Sequence, residues 1–577
     1  MNQNTGNYFP RISPSLVIGI LLIFCTGQVR CNPGMPFSGY WAATLPDSWE
    51  VCYRFTPLPD ESYSAAFVTY LNGLQYTATL ITGPVNVTNQ SIQFSTNPRE
   101  NIVFTGHLDQ SQNKITGFLQ FPDGDQFDFT LERTDNRYKR AFQPGHRQDS
   151  EYSGNPKANP ADGLPVSTLE QEGLSREMAD SLVAAILLRE VGEIHAVLLA
   201  KNGKLVLEEY FYDYDSTKPH RIHSCTKSIV SLLNGIGMDA GLSPNLEQNL
   251  AELLPNLSAA VIPRATEITW ENLLNMTSGL GFVSLPPYTD ELWIENILTA
   301  PSHVNPGTFF NYNDNNSHLI GWVLTQRFGT ELDTFANQYL FKPLDIQAVR
   351  WERYANNSPQ AHLGIALPAR DLLKIGLLVL NEGMWQGNRV IPADWLKQST
   401  AGLIPVEGFL NYGYHWWNLD GEDLGLSGPL PLAQGDGGQR LFLFPKENAA
   451  AVVFGGNFEE WFQLDDYIIP VLADHMSSIT IEVMTENHSD RPVYVTGDHS
   501  QLGLWNPGII PLEHQGNDNW RKTFLYPQGR VLNFKLTRGS WDSEAVDTQG
   551  DPLENFHFKV ESDSTIQIVI EGWKDQS

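Results

Sequence analysis

Ser224-Cys225-Thr226-Lys227 heads an apolar run, Ser228-Ile229-Val230-Ser231-Leu232-Leu233-Asn234-Gly235-Ile236, and its reading decides the fold. Ile229, Val230, Leu232, Leu233 and Ile236 have the spacing of a buried helical stripe. On such a helix Lys227 lies one turn beyond Ser224, on the same face. A serine hydroxyl is a weak nucleophile until a neighbouring group takes its proton. Burial is expected to lower the Lys227 pKa toward neutrality, which would make it that group.

The tetrapeptide alone says little, because ordinary Ser and Lys usage gives about one such spacing in a chain this long. A second one, Ser111-Gln112-Asn113-Lys114, precedes the alternating run Ile115-Thr116-Gly117-Phe118-Leu119-Gln120-Phe121. It reads as a hairpin turn.

Around this centre the 577 residues divide into several units. Arg11 and the apolar stretch from Leu16 to Phe24 read as a signal peptide over 1–31, cleaved between Cys25 and Asn32, so an exported protein is expected. A lipid anchor on Cys25 or Cys31 is the lesser alternative. The rest of the chain has no stretch long enough to cross a bilayer. A Cys31–Cys52 disulfide would suit an oxidising compartment. The net charge of -29 argues against nucleic acid as a partner.

Residues 32–137 alternate apolar and polar in short runs and predict an all-β accessory domain, an antiparallel barrel or sandwich. Its opening Gly39-Tyr40-Trp41 resembles the start of lipocalin-like barrels. Residues 138–165 are polar and rich in Pro and Gly, as a linker would be. Residues 166–475 have strands at both ends and helices between, which predicts an α+β domain with an antiparallel sheet backed by a helical lobe. Residues 478–577 return to strands and predict a separate β-sandwich.

Four stretches of the 166–475 segment, taken in order, resemble the serine β-lactamase and penicillin-binding superfamily in its class C and esterase-like branch. They are Arg221-Ile222-His223-Ser224-Cys225-Thr226-Lys227-Ser228, then Ile268 to Asn275 with Met276-Thr277-Ser278-Gly279-Leu280, then Pro306-Gly307-Thr308-Phe309-Phe310-Asn311-Tyr312, and Gly435-Asp436-Gly437-Gly438-Gln439 before a strand. The resemblance implies that Ser224 forms an acyl-enzyme and that Lys227 receives or shuttles its proton. Tyr312 would protonate the leaving group or activate the deacylating water. The N–H groups of Ser224 and of Gln439, after Gly438, would form the oxyanion hole, each donor worth about 3 kcal/mol.

Two positions depart from the family pattern. Tyr312-Asn313-Asp314 stands where Tyr-x-Asn is usual, and Asp436 stands where Lys or His is usual. Carboxylates there would repel an anionic substrate, so neutral or amine-bearing esters or amides are expected in place of β-lactams. Asp314 either sits on the substrate side or merely caps the following helix. Tyr414, in the aromatic segment Tyr412 to Trp417, is a second substrate-side candidate with core packing as its alternative. His223, adjacent to Ser224 along a helix, should point away from it. The histidines lack zinc-ligand spacing, so no metal and no cofactor is expected.

In the last segment Val493-Tyr494-Val495-Thr496-Gly497-Asp498, Leu502-Gly503-Leu504-Trp505-Asn506-Pro507 and Phe534 to Trp541 resemble a family 20 starch-binding module. The resemblance makes Trp505, Lys535 and Trp541 a candidate platform for an α-glucan or other polysaccharide. The function expected is an exported serine hydrolase acting on a small-molecule or peptide ester or amide. A D-amino-acid peptidase or penicillin-binding protein working on cell-wall peptides, and a non-catalytic glycan-binding scaffold, are the alternatives.

Overall fold

The computed structural model describes residues 35–576 except 45–48, 61, 72–73, 76–79, 82–84, 89, 98–101, 135–141, 143–154, 160–161, 190, 255, 284–291, 303, 355, 408–409, 422–423, 427, 457–462, 474 and 486–490. The leader expected over 1–31, Cys31 and most of the 138–165 linker therefore lie outside the described residues. Among the described residues no helix is long and apolar enough to cross a membrane.

The N-terminal strands form one ten-stranded sheet, so the sandwich alternative is corrected. Its strands pair antiparallel with their neighbours, and a bridge between Tyr63 and Val85 links the third strand to the start of the far edge. Every second side chain turns inward, and the inner face is aromatic. Phe94 lies 5.2 Å from Phe55 and 5.3 Å from Phe104, which lies 5.6 Å from Phe129. Trp41 and Phe104 are wholly buried among them. The second tetrapeptide does form a turn, in which Asp109 accepts from the Asn113 and Lys114 N–H groups.

The central sheet has eight strands in the order Lys204–Tyr210, Ile194–Lys201, Ala449–Gly455, Gln439–Phe444, Pro429–Gly435, Trp416–Asp420, Leu410–Gly413 and Ile404–Glu407. Alternation divides each strand between two cores. Ala196, Leu198 and Ala200 join Leu441 and Leu443 against the helices Cys225–Asp239 and Ala369–Leu380. Val197 and Leu199 join Phe442 and Phe444 against Arg176–Leu187 and Gln463–Leu472. The sheet is thus covered on both faces, where a helical lobe behind one face was expected. Double coverage is why Leu441-Phe442-Leu443-Phe444 reads as an unbroken apolar run.

The C-terminal segment packs two four-stranded sheets over a core that includes Ile479, Val495, Leu532, Phe534 and Trp573. It meets the central domain where Arg530 bridges Leu424, on the hairpin between Trp416–Asp420 and Pro429–Gly435.

Candidate active site

Ser224 stands immediately before the helix Cys225–Asp239, after a two-residue strand, His220–Arg221. Between them His223 holds a left-handed backbone at φ +46°, a conformation costly for a side chain of this kind. Its neighbours hold it there: the Ile222 N–H donates to the Ile365 carbonyl at 3.0 Å, and the Cys225 and Thr226 N–H groups close turns onto the Ile222 and His223 carbonyls. The strand Pro429–Gly435 closes in from one side. A Cβ at Gly435 would lie 2.2 Å from the Ile222 oxygen, so glycine alone permits this approach.

Lys227 is almost wholly buried, and its ammonium is surrounded by acceptors. Nζ lies 2.9 Å from Ser224 Oγ, 3.0 Å from the His362 carbonyl oxygen and 2.8 Å from Asp314 Oδ1. It also sits 4.9 Å from the centre of the Tyr312 ring. Burial alone would lower the Lys227 pKa, but Tyr312 and Asp314 together outweigh it and the pKa is raised. This corrects the expectation of a lysine tuned toward neutrality: Tyr312 and Asp314 outweigh the burial on which that expectation rested. For Asp314, burial acts upward, and Lys227 with the nearby His362 and His318 brings the net shift downward.

Asp314 opens the helix Asp314–Phe328, but the capping acceptor is Asn313, whose side chain takes the Asn315 N–H at 3.0 Å. The cap reading of Asp314 is therefore set aside. Asn313 also donates to the Leu280 and Gly281 carbonyls, at 3.0 and 3.1 Å. The Asn311 N–H reaches the Met276 carbonyl at 2.8 Å. These bonds tie the Met276 to Leu280 stretch to the approach of Tyr312.

Behind Asp314 lies a polar layer that sequence reading missed. The Tyr354 hydroxyl bridges His318 Nδ1 at 2.6 Å and His362 Nδ1 at 3.0 Å. Burial lowers the His318 pKa to about 4 and that of His362 further, so both rings are neutral at pH 7. The one signal available was the Asp314–His318 spacing, one helical turn apart. His362 and Tyr354 come from a separate loop and carried no signal.

Tyr312 is partly exposed and stacks on Trp417, with centroids 5.6 Å apart, while Tyr412 meets it edge-on at 6.1 Å. The aromatic segment thus supports the site through Tyr412 and Trp417. Tyr414 does not face substrate, which corrects that assignment. It is fully buried, stacks on Trp395 at 5.3 Å and donates its hydroxyl to Glu271 at 2.5 Å. The strand Leu410–Gly413 ends just before it, and the left-handed backbone at Tyr414 and His415, φ +43° and +67°, turns its side chain away from that of Tyr412. His415, next to it, lies within 3.2 Å of the Lys227 carbonyl through Nδ1.

The turn Asp436-Gly437-Gly438 joins Pro429–Gly435 to Gln439–Phe444. Gly437 and Gly438 take φ +76° and +85°, and Asp436 is exposed. The Gln439 side chain locks this turn: its amide N–H donates to the Gly455 carbonyl at 2.6 Å and the Gly437 carbonyl at 3.0 Å, and its oxygen takes the Gly455 N–H. The Cys225 thiol donates to the Gln439 carbonyl at 3.6 Å, which ties the helix Cys225–Asp239 to the turn. Burial pushes the Cys225 thiol pKa up, so it remains an inert thiol. Among the described residues no cluster of three or more His, Cys, Asp or Glu is arranged to hold a metal.

In the C-terminal sandwich Trp505 and Trp541 are half-buried on adjoining loops, stapled by a Thr537 hydroxyl bond to the Pro507 carbonyl at 2.6 Å. Lys535 is committed to Glu544 at 3.0 Å, and Lys574 joins the same carboxylate at 3.1 Å.

Residues 193–463 match the Beta-lactamase family model, and residues 476–568 match that of the starch binding domain. The chain carries a β-lactamase domain followed by a starch-binding domain. A 6-aminohexanoate-dimer hydrolase from Paenarthrobacter ureafaciens is 26% identical over 296 residues, which span 44% of this chain and 71% of that protein. An alpha-amylase from Niallia circulans is 26% identical over 97 residues, 17% of this chain and 7% of that enzyme. Among solved structures, a D-amino acid amidase from Ochrobactrum anthropi aligns with 51% of this chain and 97% of its own, at 16% identity and a TM-score of 0.41. The β-lactamase-fold hydrolase of this chain thus comes with a carbohydrate-binding module attached.

Proposed function

We propose that the β-lactamase domain is an exported serine hydrolase that cleaves an amide or ester through an acyl-enzyme on Ser224. The observation that carries this reading is the 2.9 Å contact between Lys227 Nζ and Ser224 Oγ, with Tyr312 over the same ammonium. Because Asp314 keeps Lys227 cationic, the lysine acts as a fixed positive charge that stabilises the Ser224 oxygen as it attacks. The proton then follows a relay. Ser224 passes its hydroxyl proton to the Tyr312 oxygen while the Tyr312 proton goes to the departing amine or alkoxide. The carbonyl carbon bonds to Ser224 Oγ as the scissile bond breaks. Water reverses the relay in deacylation. The Ser224 and Gln439 N–H groups take the developing oxyanion.

Asp314 is 44% exposed and Asp436 is exposed on the turn, so a site bearing these carboxylates favours substrates that are neutral or carry an amine near the reacting carbonyl. The name of the Paenarthrobacter relative, a hydrolase of an amino-acid dimer, accords with an amine-bearing amide. The starch-binding domain would hold the enzyme on a polysaccharide. Stopped-flow hydrolysis of a p-nitrophenyl ester tests the core of this reading: a burst equal to the enzyme concentration is expected. Absence of a burst, or one that survives Ser224→Ala, overturns it.

A further inference from the structure

The central sheet has two ends, and only one serves Ser224. Gln439 and Gly455 mark the catalytic end, where the Asp436 turn lies. At the other end Phe444 pairs with Ala449, and the turn at Asn448 meets the hairpin turn Asn202-Gly203, with the Asn202 N–H on the Asn448 carbonyl at 2.9 Å. Strands of this length put the two ends about 20 Å apart. A cavity of about 360 Å³ opens at that far end. It is framed by these two turns, the C-terminus of the helix Ala369–Leu380 and the hairpin Met384–Arg389.

None of the residues lining this cavity is charged, although 18% of the chain is Asp, Glu, Lys or Arg. Leu377, Leu380 and Trp385 line it together with the amides Asn202, Asn381, Gln386 and Asn448. Gln386 occupies the first corner of a two-residue turn between Trp385 and Asn388, with φ +47°, and Gly387 follows at +82°. Such a turn is rigid and leaves the Gln386 side chain exposed at the rim. Asn202 is fixed by donating to Glu172 at 3.0 Å and accepting from the Asn448 amide at 3.2 Å. Asn381 donates to the Met384 carbonyl at 2.7 Å, which leaves its amide oxygen for a ligand.

A tryptophan and leucines set among uncharged amides suit a ring that offers C–H groups on its face and hydroxyls at its edge. A charged ligand would find no counter-ion among these residues. The starch-binding domain docks near this same end, from the other face of the sheet, since Leu424, bridged to Arg530, packs in the core of Gln463–Leu472 and Gly428 lies against Lys446 of the Asn448 turn. We propose that this cavity is a second carbohydrate subsite, which holds a neutral hexose unit of a glucan chain presented by the starch-binding domain.

Calorimetric titration of the full chain with maltotetraose tests it. Two equivalents bound by the wild type are expected, with one lost in Trp541→Ala and the other in Trp385→Ala. Gln386→Ala, on an exposed turn, should weaken that second site about tenfold without altering the melting temperature, so a folding defect in Trp385→Ala would not obscure the result. A single equivalent that disappears in Trp541→Ala and is untouched by Trp385→Ala and Gln386→Ala overturns the subsite while leaving the starch-binding domain intact. No binding in the wild type overturns both as maltotetraose sites. The ester burst, followed in the same variants, is expected to stay unchanged and reports separately on the catalytic reading.

Discussion

Two lysines in this chain sit beside carboxylates, and they do different work. Lys227 is 1% exposed and faces a 44% exposed Asp314, whereas Lys535 is 20% exposed and shares a 10% exposed Glu544 with Lys574. In the first pair the lysine is the desolvated member, and Ser224, the proposed nucleophile, lies 2.9 Å from it. In the second the carboxylate is the buried member and two lysines satisfy it from outside. Burying a cation beside a reactive oxygen makes an electrostatic tool, while burying an anion between two cations makes a brace.

Ser224→Ala should separate the two regions most sharply. Loss of the nucleophile is expected to reduce kcat/KM by at least about 10³-fold and to erase the burst. Glucan binding by the C-terminal module should be unchanged, as calorimetry on the same preparation would show. Turnover that stays within tenfold of wild type would mean that Lys227 organises something other than a nucleophile.

Asp314→Asn tests the electrostatic half of the comparison. With the carboxylate gone, burial acts on Lys227 with less opposition and its raised pKa falls. The alkaline limb of the kcat/KM profile should move down by about one pH unit or more, with turnover reduced roughly 10- to 100-fold near neutrality. Stability carries the complementary sign. Asp314 has a depressed folded pKa, so its contribution is complete above the unfolded value, about 3.9, and is lost as pH falls through the lower folded value. Wild-type and variant melting temperatures should therefore converge in strong acid. An alkaline limb that does not move would remove Asp314 from control of the lysine.

Gly435→Ala probes the frame that holds Ser224. The new Cβ must displace the Ile222 carbonyl, 2.2 Å away, and with it the strained His223 that precedes Ser224. A cost of about 1–3 kcal/mol in stability and roughly tenfold or more in kcat is expected, read by thermal melting and initial rates. Unaltered kcat would show that the 222–224 segment is not set by this contact.

The elements that could be read before any coordinates were local. Ser224 and Lys227 share a helical turn, and Tyr312 and Asp314 are neighbours along the chain, so spacing alone could group each pair. Residues brought from distant loops were invisible: His362 and Tyr354 join His318 only when the segment after residue 350 folds over the helix Asp314–Phe328. Tyr414 was misplaced because an aromatic run gives no face until its strand is paired, and both Tyr414 and His415 adopt left-handed backbone at φ +43° and +67°. The lysine pKa was misread because burial, legible in an apolar stripe, was given the deciding weight, whereas only the fold shows Asp314 at 2.8 Å from Nζ.

Lys535→Ala is the mildest and the most discriminating of these substitutions. The residue was a candidate glucan contact by resemblance, yet its ammonium is spent on Glu544, which immediately follows the turn that carries Trp541. Lys574 still neutralises that carboxylate in the variant, so the sandwich should lose no more than about 1 kcal/mol. If Lys535 only braces the turn, glucan affinity falls two- to threefold and Lys535→Arg restores it. If Lys535 touches the sugar, affinity falls tenfold or more and arginine does not restore it. Lys227→Arg offers the contrast: a planar guanidinium does not reproduce a point charge held by three oxygens, so no rescue of turnover is expected in the catalytic pair. A brace tolerates that exchange and a catalytic charge does not.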